Sequence, residues 1–193
     1  MCIRDSTNNK PYIILKIASS LDGKSHIESE ERTIITSKAS RDDVQILRAS
    51  CDAILTGGNT LRNDNPRMNA RVNFPTNQPK KILLTSKDCD KGLNFFKDND
   101  VQIYKNKDLA QIIKSFKDQD FCSILIEAGP KLANSFLELG LVDEIISYTS
   151  NNELGDKAVS WFKENNAIEN YGFKLESSYK IDSDIKEVFK KNG

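Results

Sequence analysis

TGGNTLRNDNPRMNAR, Thr56–Arg71, is the stretch that decides how this chain is read. It follows Ala53-Ile54-Leu55, an apolar run that reads as a buried strand. Its residues include Gly57 and Gly58, the pair Asn59-Thr60, Asp64, Pro66 and the arginines Arg62, Arg67 and Arg71. So little of this is apolar that the stretch reads as a polar loop at a strand end and not as a core element. A second apolar run, Ser123–Ile126, ends in a similar way at Glu127-Ala128-Gly129-Pro130. Two glycine-bearing polar loops at strand ends point to an α/β protein that binds a phosphorylated ligand.

Outward from these loops the chain alternates strand and helix. Tyr12–Ala18 reads as a central strand, with Lys16 interrupting its apolar face and directed into a site. Ser20–Gly23 is a turn. Ser37 is an N-cap for a helix to about Ser50 that carries Arg41 and Arg48 near one face. Strands follow at Ala53–Thr56, Lys81–Thr85 and Val101–Tyr104. Leu109, Ile112, Ile113 and Phe116 form a helical stripe over 108–118. A strand at Cys122–Ile126, a helix at Lys131–Leu139 stopped by Gly140, and a strand at Val142–Tyr148 come next. Tyr171–Phe189 reads as an antiparallel pair at a sheet edge, and residues 63–79 and 86–100 are loop-rich. The alternation implies an α/β fold: a mixed, mostly parallel sheet with helices on both faces.

The chain has 193 residues and a formal net charge of zero, so nothing global points to nucleic acid. Local charge is more telling. All seven arginines lie at or before Arg71, and six fall between Arg32 and Arg71. Arginine offers a planar fork for phosphate or carboxylate that lysine lacks. The cysteines, Cys2, Cys51, Cys89 and Cys122, form no Cys-x-x-Cys, and His26 is the one histidine. A zinc site or a Ser-His-Asp triad is therefore not expected, and reduced thiols in the cytoplasm are. No apolar run approaches the ~20 residues of a membrane span. Met1–Ser6 has no apolar h-region and reads as a non-native segment. The expected organisation is a disordered or non-native 1–9 and one domain over 10–193.

Several residues could carry chemistry. Gly129-Pro130 opens a helix whose first N–H groups would seat a pyrophosphate. Ser86-Lys87, at another strand end, could take a 2′-phosphate. Asp64 is the best acid of the long loop. Glu127 ends a buried strand, where a carboxylate needs a partner such as Lys16 or an arginine. Arg48 and Arg71 are the expected phosphate forks. Trp161 reads as packing.

Three blocks in order, LKIASSLDGK (15–24), TSKASRDDVQILRASCDAILTGGNTLRNDNPRMNAR (36–71) and ILIEAGPKLANSFLELGLVDEI (124–145), resemble the reductase domain of the bifunctional riboflavin-biosynthesis deaminase–reductase. The resemblance implies a dihydrofolate-reductase-like three-layer fold. It also implies NADPH-dependent reduction of the ribose of 5-amino-6-(5-phosphoribosylamino)uracil to ribityl. Cofactor contacts would come from Ala18, Ile34, Thr60, Asp64, Ser86 and the turn Gly129, Pro130, Lys131, Leu132 and Ala133. Substrate contacts would come from Arg32, Arg48, Met68, Arg71 and Glu127. Asp64, Lys16 and Glu127 would be catalytic, with Lys16 near the reacting sugar carbon. Relatives of this family imply a homodimer.

The sequence departs from the family at Arg32 and Ile34, where a small hydroxyl residue and a tryptophan are frequent. It also lacks the His-x-Glu and Pro-Cys-x-x-Cys of the zinc deaminase half. A standalone reductase and a piece of the two-domain protein both fit, and the unusual N-terminus favours the piece. Reduction of the undeaminated pyrimidinone and a non-catalytic NADPH-binding module stay open as alternatives. A true dihydrofolate reductase fits poorly, because the one tryptophan is Trp161.

Overall fold

The apolar runs of the sequence become strands in the computed structural model, which describes residues 10–27, 33–97, 101–105, 108–162 and 167–191. Those strands are β1 (Tyr12–Ser19), β2 (Lys24–Ile27), β3 (Ala53–Gly57), β4 (Lys80–Leu84), β5 (Val101–Tyr104), β6 (Ser123–Ile126), β7 (Glu144–Thr149), β8 (Ala158–Ser160), β9 (Phe173–Ile181) and β10 (Asp184–Lys191). The α-helices are α1 (Lys38–Ala49), α2 (Gly58–Asp64), α3 (Leu109–Ser115) and α4 (Pro130–Glu138). Eight strands form a mixed, mostly parallel sheet in the order β5-β4-β3-β6-β1-β7-β10-β9, and β2 pairs with β8. The chain divides into two compact units. The first holds the chain up to Ile14 and Gln45–Ala128; the second holds Leu15–Val44 and everything from Gly129 on.

In the first unit β3 lies parallel to both β4 and β6. All five of its residues are buried, as expected for a strand covered on both faces, and this explains its unbroken apolar sequence. Gly57 is level with Leu84, and Leu55 with Ile126, so the C-terminal ends of three strands lie side by side. At the opposite end the Asp52 carboxylate accepts from the backbone N–H groups of Cys122 (2.9 Å) and Ser123 (2.8 Å). Cys51, Ile54, Leu61, Met68, Leu83, Phe95 and Leu125 form the core. Burial raises the Cys51 thiol pKa to about 11, so this cysteine is a packing group. Lys81 is fully buried and donates from Nζ to the Phe95 carbonyl at 2.8 Å.

In the second unit β10 pairs antiparallel with β7 and β9. This is the edge pair that the tail implies. The Ser37 hydroxyl accepts from the Ser40 N–H at 3.2 Å, which caps α1 as its sequence indicates. The buried Asp184 carboxylate accepts from the Ser37 N–H (2.7 Å) and the Ser40 hydroxyl (2.6 Å). Further along α1, Asp43 accepts from the buried Tyr148 hydroxyl and from Lys186, both at 2.6 Å. Gly140, at φ 65°, ends α4 in the left-handed region that glycine tolerates.

Three readings need correction. Gly58–Asp64 is a helix and not loop, and Leu61, Met68 and Ala70 of the polar stretch are buried. Helix α2 buries one large side chain, Leu61, so it has no periodicity to read. The pair β2–β8 was also missed: KSHI does not alternate, and AVS is three residues long. Residues 1–9 and Arg32 lie outside the described residues.

Burial pushes the Asp184 pKa up, but hydrogen bonds from Ser40, Ser37 and Ser183 outweigh it and hold the pKa below its ordinary value. A depressed carboxylate stabilises the fold above the unfolded pKa, and that contribution is lost as pH falls through the folded one. Asp184→Ala is expected to cost about 1–3 kcal/mol in urea unfolding near neutral pH. The gap to wild type should narrow below about pH 4.

Candidate active site

The polar loops of the first unit leave the sheet where the C-terminal ends of β3, β4 and β6 meet, the usual ligand edge of a parallel sheet. The close packing there is set by backbone. The Thr56 hydroxyl donates to the Glu127 carbonyl at 2.7 Å, and the Glu127 N–H donates to the Leu55 carbonyl at 3.0 Å. Gly58 starts α2 against the end of β4. A Cβ at Gly58 would lie 2.5 Å from the Thr85 hydroxyl oxygen, so only glycine fits without displacing β4's neighbour.

Glu127 and Arg48 are each other's partners. Arg48 Nε donates to Oε1 at 2.5 Å and Nη2 to Oε2 at 2.8 Å, a bidentate pair. The two residues keep 7% and 9% of their surface exposed. Burial works against the Arg48 charge, but the Glu127 carboxylate outweighs it and holds the guanidinium pKa above its ordinary value. The fork expected to meet a phosphate is thus on Glu127, and Nη1 is left to face the Asn69 carbonyl at 3.4 Å. Arg71 is exposed and reaches the same residue, with Nη1 3.1 Å from the Asn69 side-chain oxygen. Arg48, held by Glu127, and Arg71 therefore both reach Asn69.

Sequence reasoning missed Asn69, Gln45 and Gln78. Gln45 accepts from the Arg71 N–H at 3.3 Å, and Gln78 bonds both the N–H (2.9 Å) and the carbonyl (2.8 Å) of Ala70. An amide side chain that secures a loop has no sequence signature. The Met68 side chain is buried in the core, which leaves its backbone for any substrate contact.

Helix α2 carries Thr60 and Asp64, both half-buried. It closes at Asn65, in the left-handed region at φ 39°, whose N–H returns to the Leu61 carbonyl. Asn65 in turn accepts from the Asn94 N–H at 2.8 Å. Ser86 is exposed beyond β4, next to a turn in which the Lys87 N–H donates to the Thr85 hydroxyl. The nearby Asp88 is paired with Lys105 at 2.8 Å.

In the second unit Lys16 and Ala18 share the half-buried face of β1. The Ala18 carbonyl accepts from the Trp161 indole N–H at 2.7 Å. Ile34 is 69% exposed. Gly129 is the N-cap of α4 and supplies no capping side chain, Pro130 stands at its start, and the Ala133 N–H donates to the Gly129 carbonyl. A nine-residue helix that begins without a side-chain cap suits an anionic group. The hydroxyls and cations of the first unit suit a phosphorylated one. The uncapped first turn of α4 by itself fits one phosphate of a nicotinamide dinucleotide. Among the described residues no cluster of three or more His, Cys, Asp or Glu could hold a metal ion.

The model of the RibD C-terminal domain matches residues 11–186. The chain belongs to the RibD C-terminal domain family. It is 32% identical to the riboflavin biosynthesis protein RibD of Buchnera aphidicola, over 96% of this chain and 61% of that protein. It is 33% identical to RibD of Escherichia coli, over 77% of this chain and 50% of that one. The solved Acinetobacter baumannii RibD, form 1, superposes with a TM-score of 0.88 at 28% identity, covering 98% of this chain and 60% of that chain. The chain thus spans roughly half to three-fifths of the RibD relatives it matches. Among the described residues no helix is long and apolar enough to cross a membrane.

Removing one partner of a buried ion pair strands the other charge. Glu127→Gln is expected to lower stability by about 3–5 kcal/mol in denaturant melts. Replacing Arg48 by Met in the same chain should recover part of that loss, since no charge is then left uncompensated.

Proposed function

We propose that this chain is the reductase of riboflavin biosynthesis that uses NADPH to reduce the ribose of 5-amino-6-(5-phosphoribosylamino)uracil to the ribityl product. The observation that carries the reading is the family match over 11–186. The meeting of Arg48 and Arg71 at Asn69 supports it, because a phosphorylated sugar needs fixed cations.

In the first unit Thr60, Asp64 and Ser86 are the cofactor residues; in the second, Ala18, Ile34 and Gly129–Ala133. Thr85 and Lys87 hold the turn beside Ser86, and Lys105 compensates Asp88, so this strand end is suited to a 2′-phosphate. NADPH would supply the hydride for C1′ of the opened ribosylamine. The Lys16 ammonium polarises the opened sugar. Asp64, half-buried on α2, hands a proton to the sugar or amine side through water. Glu127 fixes Arg48 and binds substrate polar groups. Arg71, the exposed arginine, is the main phosphate fork, Arg48 contributes Nη1, and the Met68 backbone lines the same loop. Arg32 completes the substrate set. In longer relatives a deaminase domain would supply this substrate by deaminating the pyrimidinone.

The chain acts as a homodimer in this reading. Strand β9 ends the sheet, and Leu175 and Tyr179 on it are half exposed, which leaves an edge for a second copy to cover. Light scattering should give twice the mass of one chain, and a monomer would set this assembly aside.

The test of function is NADPH oxidation with the phosphoribosylaminouracil, run beside its undeaminated pyrimidinone. Arg71→Ala is expected to raise KM for the substrate by about 10- to 100-fold, the worth of one charged hydrogen bond, and to change kcat less. Asp64→Asn is expected to lower kcat. Turnover of the pyrimidinone alone would move the substrate to the other order of reduction and deamination. NADPH binding without turnover of either compound would leave a binding module.

A further inference from the structure

Trp161, read from sequence as packing, makes three hydrogen bonds to backbone or amide groups. Its indole N–H donates to the Ala18 carbonyl at 2.7 Å and its backbone N–H to the Gly23 carbonyl at 3.0 Å. Its own carbonyl accepts from Asn134 Nδ2 at 2.8 Å. The residue is 6% exposed. Burying an indole does not by itself require its N–H to meet a strand carbonyl, but an unmet N–H there would be costly.

Asn134 makes the complementary set. It stands four residues into α4, where a helical side chain leans back over the preceding turn. Nδ2 donates to the Pro130 carbonyl as well as to Trp161, both at 2.8 Å, and Oδ1 accepts from the Tyr171 hydroxyl at 3.2 Å. Donors and acceptor of the amide are all engaged, so its orientation is fixed. One asparagine and one tryptophan therefore connect β1 at Ala18 with the first turn of α4, inside one unit. These are two of the three places assigned above to the cofactor in this unit.

We propose that Trp161 and Asn134 are positioning residues that hold Ala18 and the first turn of α4 as a preformed cofactor seat. The inference rests on the NADPH-dependent reading above. Neither residue touches the reacting atoms. Their effect is to remove the ordering cost that a looser turn and strand end would impose on binding.

Trp161 is the one tryptophan of the chain, so its emission reports NADPH binding without turnover. Asn134→Asp keeps the shape and the acceptor for Tyr171 but removes both donors. Its NADPH Kd, from quenching of Trp161, is expected to rise about fivefold, the worth of one lost hydrogen bond. KM for NADPH should follow, with a smaller change in kcat. Trp161→Phe, followed by calorimetry, should move the same way, and Tyr171→Phe less. A lowered melting temperature with an NADPH Kd unmoved in Asn134→Asp and Trp161→Phe would overturn the inference and return Trp161 to packing. Wild-type protein that fails to bind NADPH would bring down the parent reading and this one together. Wild-type binding and turnover with unmoved variants would bring down this one alone.

Discussion

A guanidinium and a carboxylate stay buried together only if each answers the other's charge, and the pair Arg48–Glu127 meets that condition with two short hydrogen bonds. It joins the last turn of α1 to the residue that follows β6. The Glu127 backbone is in turn bonded to β3 on both sides, through Leu55 and Thr56. The remaining Arg48 nitrogen faces the loop at Asn69, which Gln45 and Gln78 secure further. One satisfied pair of charges thus links α1, the end of β6 and the loop after α2.

The same economy appears in how polar side chains are used elsewhere. Asp184 holds the start of α1 to β10, Asp43 collects Tyr148 and Lys186, and Asp52 closes the far end of β3 on β6. Each is a carboxylate that answers several donors from other elements. Asp184 is the buried one of the three, and a buried polar group specifies one arrangement, because any slip leaves a donor or acceptor unmet. The apolar core supplies the general driving force for collapse, but it does not choose between neighbouring registers as sharply.

Much of the fold was legible because it rests on local pattern. The apolar runs of β1, β3, β4 and β6, the stripe of α3, the Ser37 cap and the Gly140 stop are all statements about adjacent residues. Helix α2 was not legible, since it buries a single large residue and is held at Asn65 by Asn94 from a distant turn. The short pair β2–β8 was hidden for a similar reason: its pairing partners are more than a hundred residues apart. At the candidate site Glu127 stood out as a carboxylate at the end of an apolar run, and Arg48 and Arg71 as part of an arginine cluster in a lysine-rich chain. Asn69, Gln45, Gln78 and Asn134 did not, because amides occur in any polar loop or helix and acquire a role only from what they face.

The sequence by itself determined the alternation of strands and helices, the polar loops at the strand ends, and the family to which residues 11–186 belong. These depend on periodicity and on ordered motifs, which are properties of the linear chain. Only the tertiary structure decided that the Arg48 fork belongs to Glu127, that Met68 is core, and that Trp161 serves the Ala18 carbonyl. The physical reason is that a charge or a hydrogen-bond donor has no fixed partner in sequence. Its partner is whichever acceptor folding brings within about 3 Å, and that distance is set by the whole packing of the unit around it.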